Sequence, residues 1–220
     1  MSGTAIIIQA RLGSSRLPAK VLLPLHNDNS VLTEVIYRCL SIKDIDFVIV
    51  AAPERDVEII SDHLCGFGHE IVGGPEHNVL ARYYKAACRV NADTIMRITA
   101  DCPMIDPNVC AGVLAMHKGM GVHYTSNIWP QRLYPPGYDC EVFSMEALAR
   151  AAPDYEVERL RRPNGSDGMP TGYVRAVQRP PASRSSNSVN QFWMRMNRES
   201  PGSNGEFAIM TKPRPSGVTS

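Results

Sequence analysis

The sequence predicts an α/β fold built on a largely parallel sheet, and three observations carry that prediction. Apolar runs at residues 4–10 (TAIIIQA) and 47–52 (FVIVAA), with a third strand-like segment at 93–99 (DTIMRIT), have the composition of strands covered on both faces. Between them lie segments whose apolar residues recur at helical spacing, and such alternation requires right-handed crossovers between parallel neighbours. The pattern then stops. Residues 1–160 carry 14 Lys/Arg against 19 Asp/Glu, whereas residues 161–220 carry 9 against 3 and read RRPNGSDGMP, QRPPASRSSNSVN and KPRPSGVTS. The chain therefore divides into a domain over 1–155 and an atypical basic, Pro/Ser/Arg-rich tail over 156–220. The tail offers too little apolar surface to offset chain entropy and is expected to be disordered or poorly packed.

The elements follow in order. Residues 4–10 form the first strand. Residues 30–40 place Val31, Leu32, Val35, Ile36 and Cys39 on one helical face behind Ser30, a good N-cap residue. Residues 47–52 are a second strand, stopped by Pro53, and 56–65 are helical. A short strand over 69–72 ends at Gly73 and Gly74. Residues 78–90 form a helix with Val79, Leu80, Tyr83, Ala87 and Val90 inward; Tyr83 and Tyr84 read as a core and a surface aromatic. The strand over 93–99 precedes a helix over 107–118 capped by Asp106, then strands over 124–127 and 139–143 and a helix over 144–152.

Several classes are excluded. No window holds 18 apolar residues, so no membrane-spanning helix is expected, and the N-terminus runs into a buried strand rather than a basic leader. The net charge of +1 points to neither a nucleic-acid nor a membrane surface. Cys39, Cys65, Cys88, Cys102, Cys110 and Cys140 are scattered without a CxxC pair. They read as free thiols in a reducing, cytoplasmic compartment, and the dispersed histidines suggest no metal site.

In open parallel sheets ligands bind beyond the carboxyl ends of the strands. The segment after the first strand, QARLGSSRLPAK, sets Arg11, Arg16 and Lys20 around Gly13, Ser14 and Ser15. Successive turn amides form an anion nest, arginine grips phosphate through paired N–H groups and lysine adds a point charge. The segment is neither a GxxxxGK[ST] nor a GxGxxG loop, and a merely solvated basic loop is the alternative. Asp101 follows the third long strand, where a carboxylate can hold a hard cation or cap a helix, although Asp106 is the better cap. Asn78 and Arg82 stand one helical turn apart and can face one ligand, or serve as a cap and a solvated cation. Asp139 and Glu141, two apart on a strand, point to one face, where they can bind hydroxyl groups or a second metal, or form a mere sheet-edge pair.

The run IIIQARLGSSRLPAKVLLPL resembles the opening motif of the cytidylyltransferases that activate acidic sugars. The match continues through GGPEHNVLARYYKAA (73–87), RITADCPMIDP (97–107), YTSN (124–127) and YDCEVFSMEAL (138–148). It is similar to the 3-deoxy-manno-octulosonate and acylneuraminate cytidylyltransferases and above all to the spore-coat polysaccharide biosynthesis protein F group. The resemblance implies a nucleotide-binding three-layer sandwich of the glycosyltransferase-A type, transferring CMP from CTP to a sugar acid with Mg²⁺ as cofactor and release of pyrophosphate. It implies catalytic roles for Arg11, Arg16, Lys20 and Asp101, with Asp101 the metal ligand. Ala10, Gly13, Ser14, Ser15, Asn78, Arg82 and Thr99 would join Arg11, Arg16 and Lys20 around the nucleotide, and Asp139 and Glu141 would meet the sugar. CTP and a sugar acid are the implied partners, with room for a homodimer and no expected nucleic acid or membrane. Relatives continue with further strands and a late aspartate-containing segment. Here PDYEVERLRRP begins that continuation and then departs from it, as if the C-terminal portion had been replaced. Two alternatives stay open: a related nucleotidyltransferase or glycosyltransferase using another base, and a catalytically impaired nucleotide-binding protein.

Overall fold

The computed structural model describes residues 3–27, 29–128, 131–151, 155–159, 174–178 and 207–209. In chain order the elements are β1 (Gly3–Gln9), a small hairpin of β2 (Pro24–His26) and β3 (Asn29–Ser30), α1 (Val31–Leu40), β4 (Phe47–Pro53), α2 (Val57–His63), β5 (Glu70–Gly74), α3 (Val79–Arg89) and β6 (Ala92–Thr99). There follow α4 (Pro107–Met120), β7 (Tyr124–Ser126), β8 (Glu141–Ser144), α5 (Met145–Ala151), β9 (Tyr155–Arg159), β10 (Val174–Gln178) and β11 (Phe207–Ile209).

The continuous apolar run of β1 has its reason in the layers on either side of it. Ile6 and Ile8 enter one core with Leu32, Val35 and Ile36 of α1, Ile60 of α2 and Val113 and Leu114 of α4. Ala5 and Ile7 point the other way, into a second core with Tyr83, Ala86 and Ala87 of α3 and Leu148 of α5. Since successive strand residues face opposite sides, a strand buried on both faces cannot alternate with polar residues. The result is the expected three-layer sandwich.

The central sheet has the order β11-β7-β8-β6-β1-β4-β5. β5, β4, β1 and β6 are mutually parallel, β8 runs antiparallel to both β6 and β7, and β11 is parallel to β7. The strand β11 comes from beyond residue 155, so the sheet draws on the region expected to lie outside the domain. β9 and β10 pair antiparallel as a separate ribbon. The remainder of the expected poorly packed tail lies outside the described residues. No described helix is long and apolar enough to cross a membrane.

Helix starts follow the capping residues. The Ser30 hydroxyl accepts from Thr33 N–H, Asn78 Oδ1 from Ala81 N–H, and Asp106 Oδ1 from the N–H groups of Asn108 and Val109. Gly121 ends α4 at φ 61°, a left-handed conformation that glycine adopts without a Cβ penalty, and the helix therefore runs two residues past the expected end. The helix expected over 56–65 is shorter at both ends. Asp56 closes a 3-10 turn over Glu54–Asp56, its carboxylate bonded elsewhere, and α2 ends at His63. The strand expected from 139 begins at Glu141, because Asp139 is held by Arg132 and the Cys140 N–H by Asn127 Oδ1. Cys39, Cys65, Cys102, Cys110 and Cys140 are free thiols. Cys39, Cys102, Cys110 and Cys140 are buried, whereas Cys65 is exposed.

Candidate functional site

Four parallel strands deliver their carboxyl ends to one side of the sheet, and β1 and β6 lie next to each other there. Gln9 is in register with Thr99, and the ladder runs one residue further, with Ala10 N–H donating to Ala51 O and Ala100 N–H to Gln9 O, both at 3.0 Å. Beyond this point the two chains part, one toward the β4 side and one toward β8. That divergence opens a crevice of the kind in which α/β sheets bind ligands.

The segment after β1 is a closed loop. The carbonyl of Leu12 accepts from Ser14 N–H at 3.0 Å and from Ala19 N–H at 2.9 Å, which brings its two ends together. Its base is fixed by Asp56, 5% exposed, whose Oδ2 accepts from Leu12 N–H at 2.9 Å. The Ser14 hydroxyl accepts from Leu17 N–H at 3.4 Å. Arg11, Gly13, Ser15 and Arg16 are exposed on the loop. Ala19 takes a left-handed φ of 52° and turns the chain so that Lys20 returns to the crevice.

There Lys20 Nζ meets Asp101 Oδ2 at 2.5 Å. The side chains remain 34% and 43% exposed, so the pair is open to a ligand. Partial burial pushes the Asp101 carboxyl up, but the hydrogen bond and charge of Lys20, helped by the Thr99 hydroxyl, outweigh it and hold the group below the usual carboxylate range. Thr99 Oγ1 also lies 3.0 Å from Cys102 Sγ. The structure thus brings together Ala10, Lys20, Thr99 and Asp101 from two neighbouring strand ends, with the exposed residues of the loop beside them.

The remaining expected residues sit differently. Asn78 is the cap of α3. Arg82 neither reaches solvent nor shares an open face with Asn78: it is 1% exposed, and its Nη1 donates to the carbonyls of Pro75 at 2.6 Å and Glu76 at 2.9 Å. Burial lowers its pKa, and the neighbouring charge of Arg11 works in the same direction. It braces the loop after β5 from beneath, and Gly74 leaves it the space, since a Cβ there would fall 2.9 Å from Arg82 Cγ. Asp139 and Glu141 do not form a carboxylate pair on one strand face. Glu141 is 1% exposed; Oε1 is ion-paired with Arg97 and Oε2 accepts from Tyr124 O–H at 3.2 Å. Asp139 lies before the strand, ion-paired with Arg132.

Arg55 is a residue that the sequence reading passed over. Its Nη2 is 2.5 Å from Glu76 Oε1 and its Nε 3.6 Å from Asp56 Oδ1. The same Nη2 lies 3.2 Å from where a Cβ on Gly13 would sit, so the guanidinium overlies the loop at its glycine. Its position just past β4 was the available signal.

The described residues contain no group of three or more His, Cys, Asp and Glu side chains placed to hold a metal ion. The single carboxylate of Asp101 nevertheless fits a magnesium-type cation, which keeps several waters and takes other ligands from substrate phosphates.

The family profile described as cytidylyltransferase matches residues 5–131, which include the loop, the brace and Asp101. The chain belongs to the cytidylyltransferase family. Among curated relatives, this cytidylyltransferase-family chain is 34% identical over 130 residues to the spore coat polysaccharide biosynthesis protein SpsF of Bacillus subtilis, covering 57% of this chain and 54% of the relative. It is 30% identical over 120 residues to the 3-deoxy-manno-octulosonate cytidylyltransferase of Elusimicrobium minutum, covering 54% and 47%. A solved cytidylyltransferase of Leptospira borgpetersenii superposes with a TM-score of 0.63 at 28% identity, over 69% of this chain and 64% of that one. The matched stretch spans about half the length of the two curated relatives.

Proposed function

We propose that the protein transfers CMP from CTP to the hydroxyl of a sugar acid, releasing pyrophosphate, in the synthesis of a surface polysaccharide. The observation that carries this reading is the Lys20–Asp101 pair, which sets a cation and a carboxylate side by side at the mouth of an amide-rich loop. The family profile supports cytosine as the base, and the names of the relatives support an acidic sugar and polysaccharide synthesis.

In such a transfer the acceptor oxygen bonds to the α-phosphorus and its proton passes to solvent water. The bond from that phosphorus to the α–β bridging oxygen breaks, and pyrophosphate leaves with the oxygen. There is little covalent work for the protein, so positioning and charge neutralisation dominate. The amides about Gly13–Ser15, with Arg11 and Arg16, cradle the β- and γ-phosphates. Lys20 moves from Asp101 to the leaving pyrophosphate, where its charge is worth more in the transition state than in the ground state. Asp101, so released, is the residue that would hold Mg²⁺. The ion, when bound, neutralises phosphate charge and fixes the orientation of the phosphate oxygens. Arg82 and Asp56 keep the walls of the crevice in place without touching the substrate.

The test is pyrophosphate release from CTP, Mg²⁺ and candidate sugar acids. Asp101→Asn is expected to lower turnover by about a hundredfold or more while CTP still binds. Unchanged turnover in this variant removes Asp101 from the reaction.

A further inference from the structure

Between β7 and β8 the described residues 127–128 and 131–140 lie outside the sheet, tied at their base by one buried side chain. Asn127, 1% exposed, donates from Nδ2 to Tyr138 O at 2.7 Å and accepts at Oδ1 from Cys140 N–H at 2.9 Å; its carbonyl accepts from Leu133 N–H at 3.1 Å. On this loop the rings of Tyr134 and Tyr138 stack with centroids 6.3 Å apart and planes 14° from parallel. Beside them the Arg132 fork grips the Asp139 carboxylate through both terminal nitrogens, Nη1 on Oδ1 and Nη2 on Oδ2 at 3.2 Å.

The topology brings this pair to the same end of the sheet as the candidate site. β8 runs antiparallel to β6 with Arg97 opposite Glu141. The ladder ends at that pair; Asp139 lies two residues before Glu141 and Thr99 two residues after Arg97, at the same end of the two strands, and Asp101 follows Thr99 by two residues. The charges of Arg132 and Asp139 are both near enough to act on the Cys102 thiol, next to Asp101. The side chains of Arg132 and Asp139 are 41% and 29% exposed. An exposed ion pair adds little to stability, so the fork is not needed there to hold the fold.

We propose that Arg132 is the residue that selects an acidic acceptor, binding its carboxylate bidentately in place of Asp139. This rests on the nucleotidyl transfer proposed above and adds the group that recognises the acid. A planar fork matched to one carboxylate accepts another with the same geometry, so the exchange costs little. Asp139, once released, is an acceptor for the sugar's hydroxyl groups, and the stacked tyrosines give the ring a rigid wall.

The test is a binding titration with divalent metal chelated, so that turnover does not consume the ligands. CTP is titrated first. The CTP-saturated protein is then titrated with 3-deoxy-manno-octulosonate and N-acetylneuraminate, each against its methyl ester. The wild type is expected to favour at least one acid over its ester by about tenfold or more, the range of charge-assisted hydrogen bonds. Arg132→Gln should reduce that preference to within about twofold, and Arg132→Lys should be intermediate, since it keeps the charge and loses the fork. CTP affinity should be the same in all three proteins. Equal affinity for acid and ester in the wild type, no binding of either acid, or a preference that survives in Arg132→Gln overturns the inference. Absence of CTP binding in the wild type counts instead against the nucleotidyl transfer itself, and the first titration reads it separately.

Discussion

Lys20 and Asp101 are 81 residues apart in the chain and 2.5 Å apart in space. Asp101 was recognisable from the sequence as a carboxylate just past a strand and Lys20 as a cation of the loop that follows β1, and their meeting follows once β1 and β6 are neighbours. Other residues show where such reading stops. Arg82 reads as a solvated or ligand-facing cation from its spacing to Asn78, yet it is enclosed, because a long side chain can turn under its own helix to reach the carbonyls of Pro75 and Glu76. Glu141 reads as a binding carboxylate, yet it neutralises Arg97 inside the sheet, and which face of a short strand is covered depends on partners the sequence does not reveal. That burial has a measurable consequence. Glu141→Ala leaves the Arg97 guanidinium buried without its counter-ion and should cost about 3–5 kcal/mol in urea unfolding. A loss under about 1 kcal/mol would show that the pair does not balance a buried charge.

Elements were legible where local chemistry decides them. Ser30, Asn78 and Asp106 cap α1, α3 and α4 as their side chains allow, and the apolar runs mark β1, β4 and β6. Boundaries set by distant contacts were not legible: Asp56 is drawn off to Leu12 and Asp139 to Arg132. The docking of α4 on β7 rests partly on His117, 5% exposed, whose Nδ1 is 3.1 Å from Thr125 Oγ1. Burial, aided by the nearby charges of His123 and Lys118, pushes its pKa down from 6.5 to about 4. Below about pH 6.5 the unfolded chain takes up a proton that the folded chain refuses, so stability should fall as pH drops from about 6.5 to about 4. Above that window His117 contributes no pH dependence. Urea midpoints measured across the range check this. His117→Asn should flatten that part of the profile, and an unaltered slope would assign the acid sensitivity to other groups.

At the level of the whole molecule, the site follows from strand order. β1 sits between β4 and β6, the chain beyond β1 and the chain beyond β6 diverge, and every group of the proposed reaction lies on the loops that border the divergence. The three-layer fold was legible because both faces of the central strands are apolar. The contribution of β11 was not, since a three-residue strand in a polar, proline-rich region carries no periodic signal. The account as a whole depends on the loop around Gly13 and the Lys20–Asp101 pair receiving a triphosphate. Calorimetric titration of CTP in Mg²⁺ into the wild type and Lys20→Ala tests this most directly. Saturable binding by the wild type that weakens by about tenfold or more in Lys20→Ala is the predicted result. No saturable binding, or equal affinity in the two proteins, would contradict it.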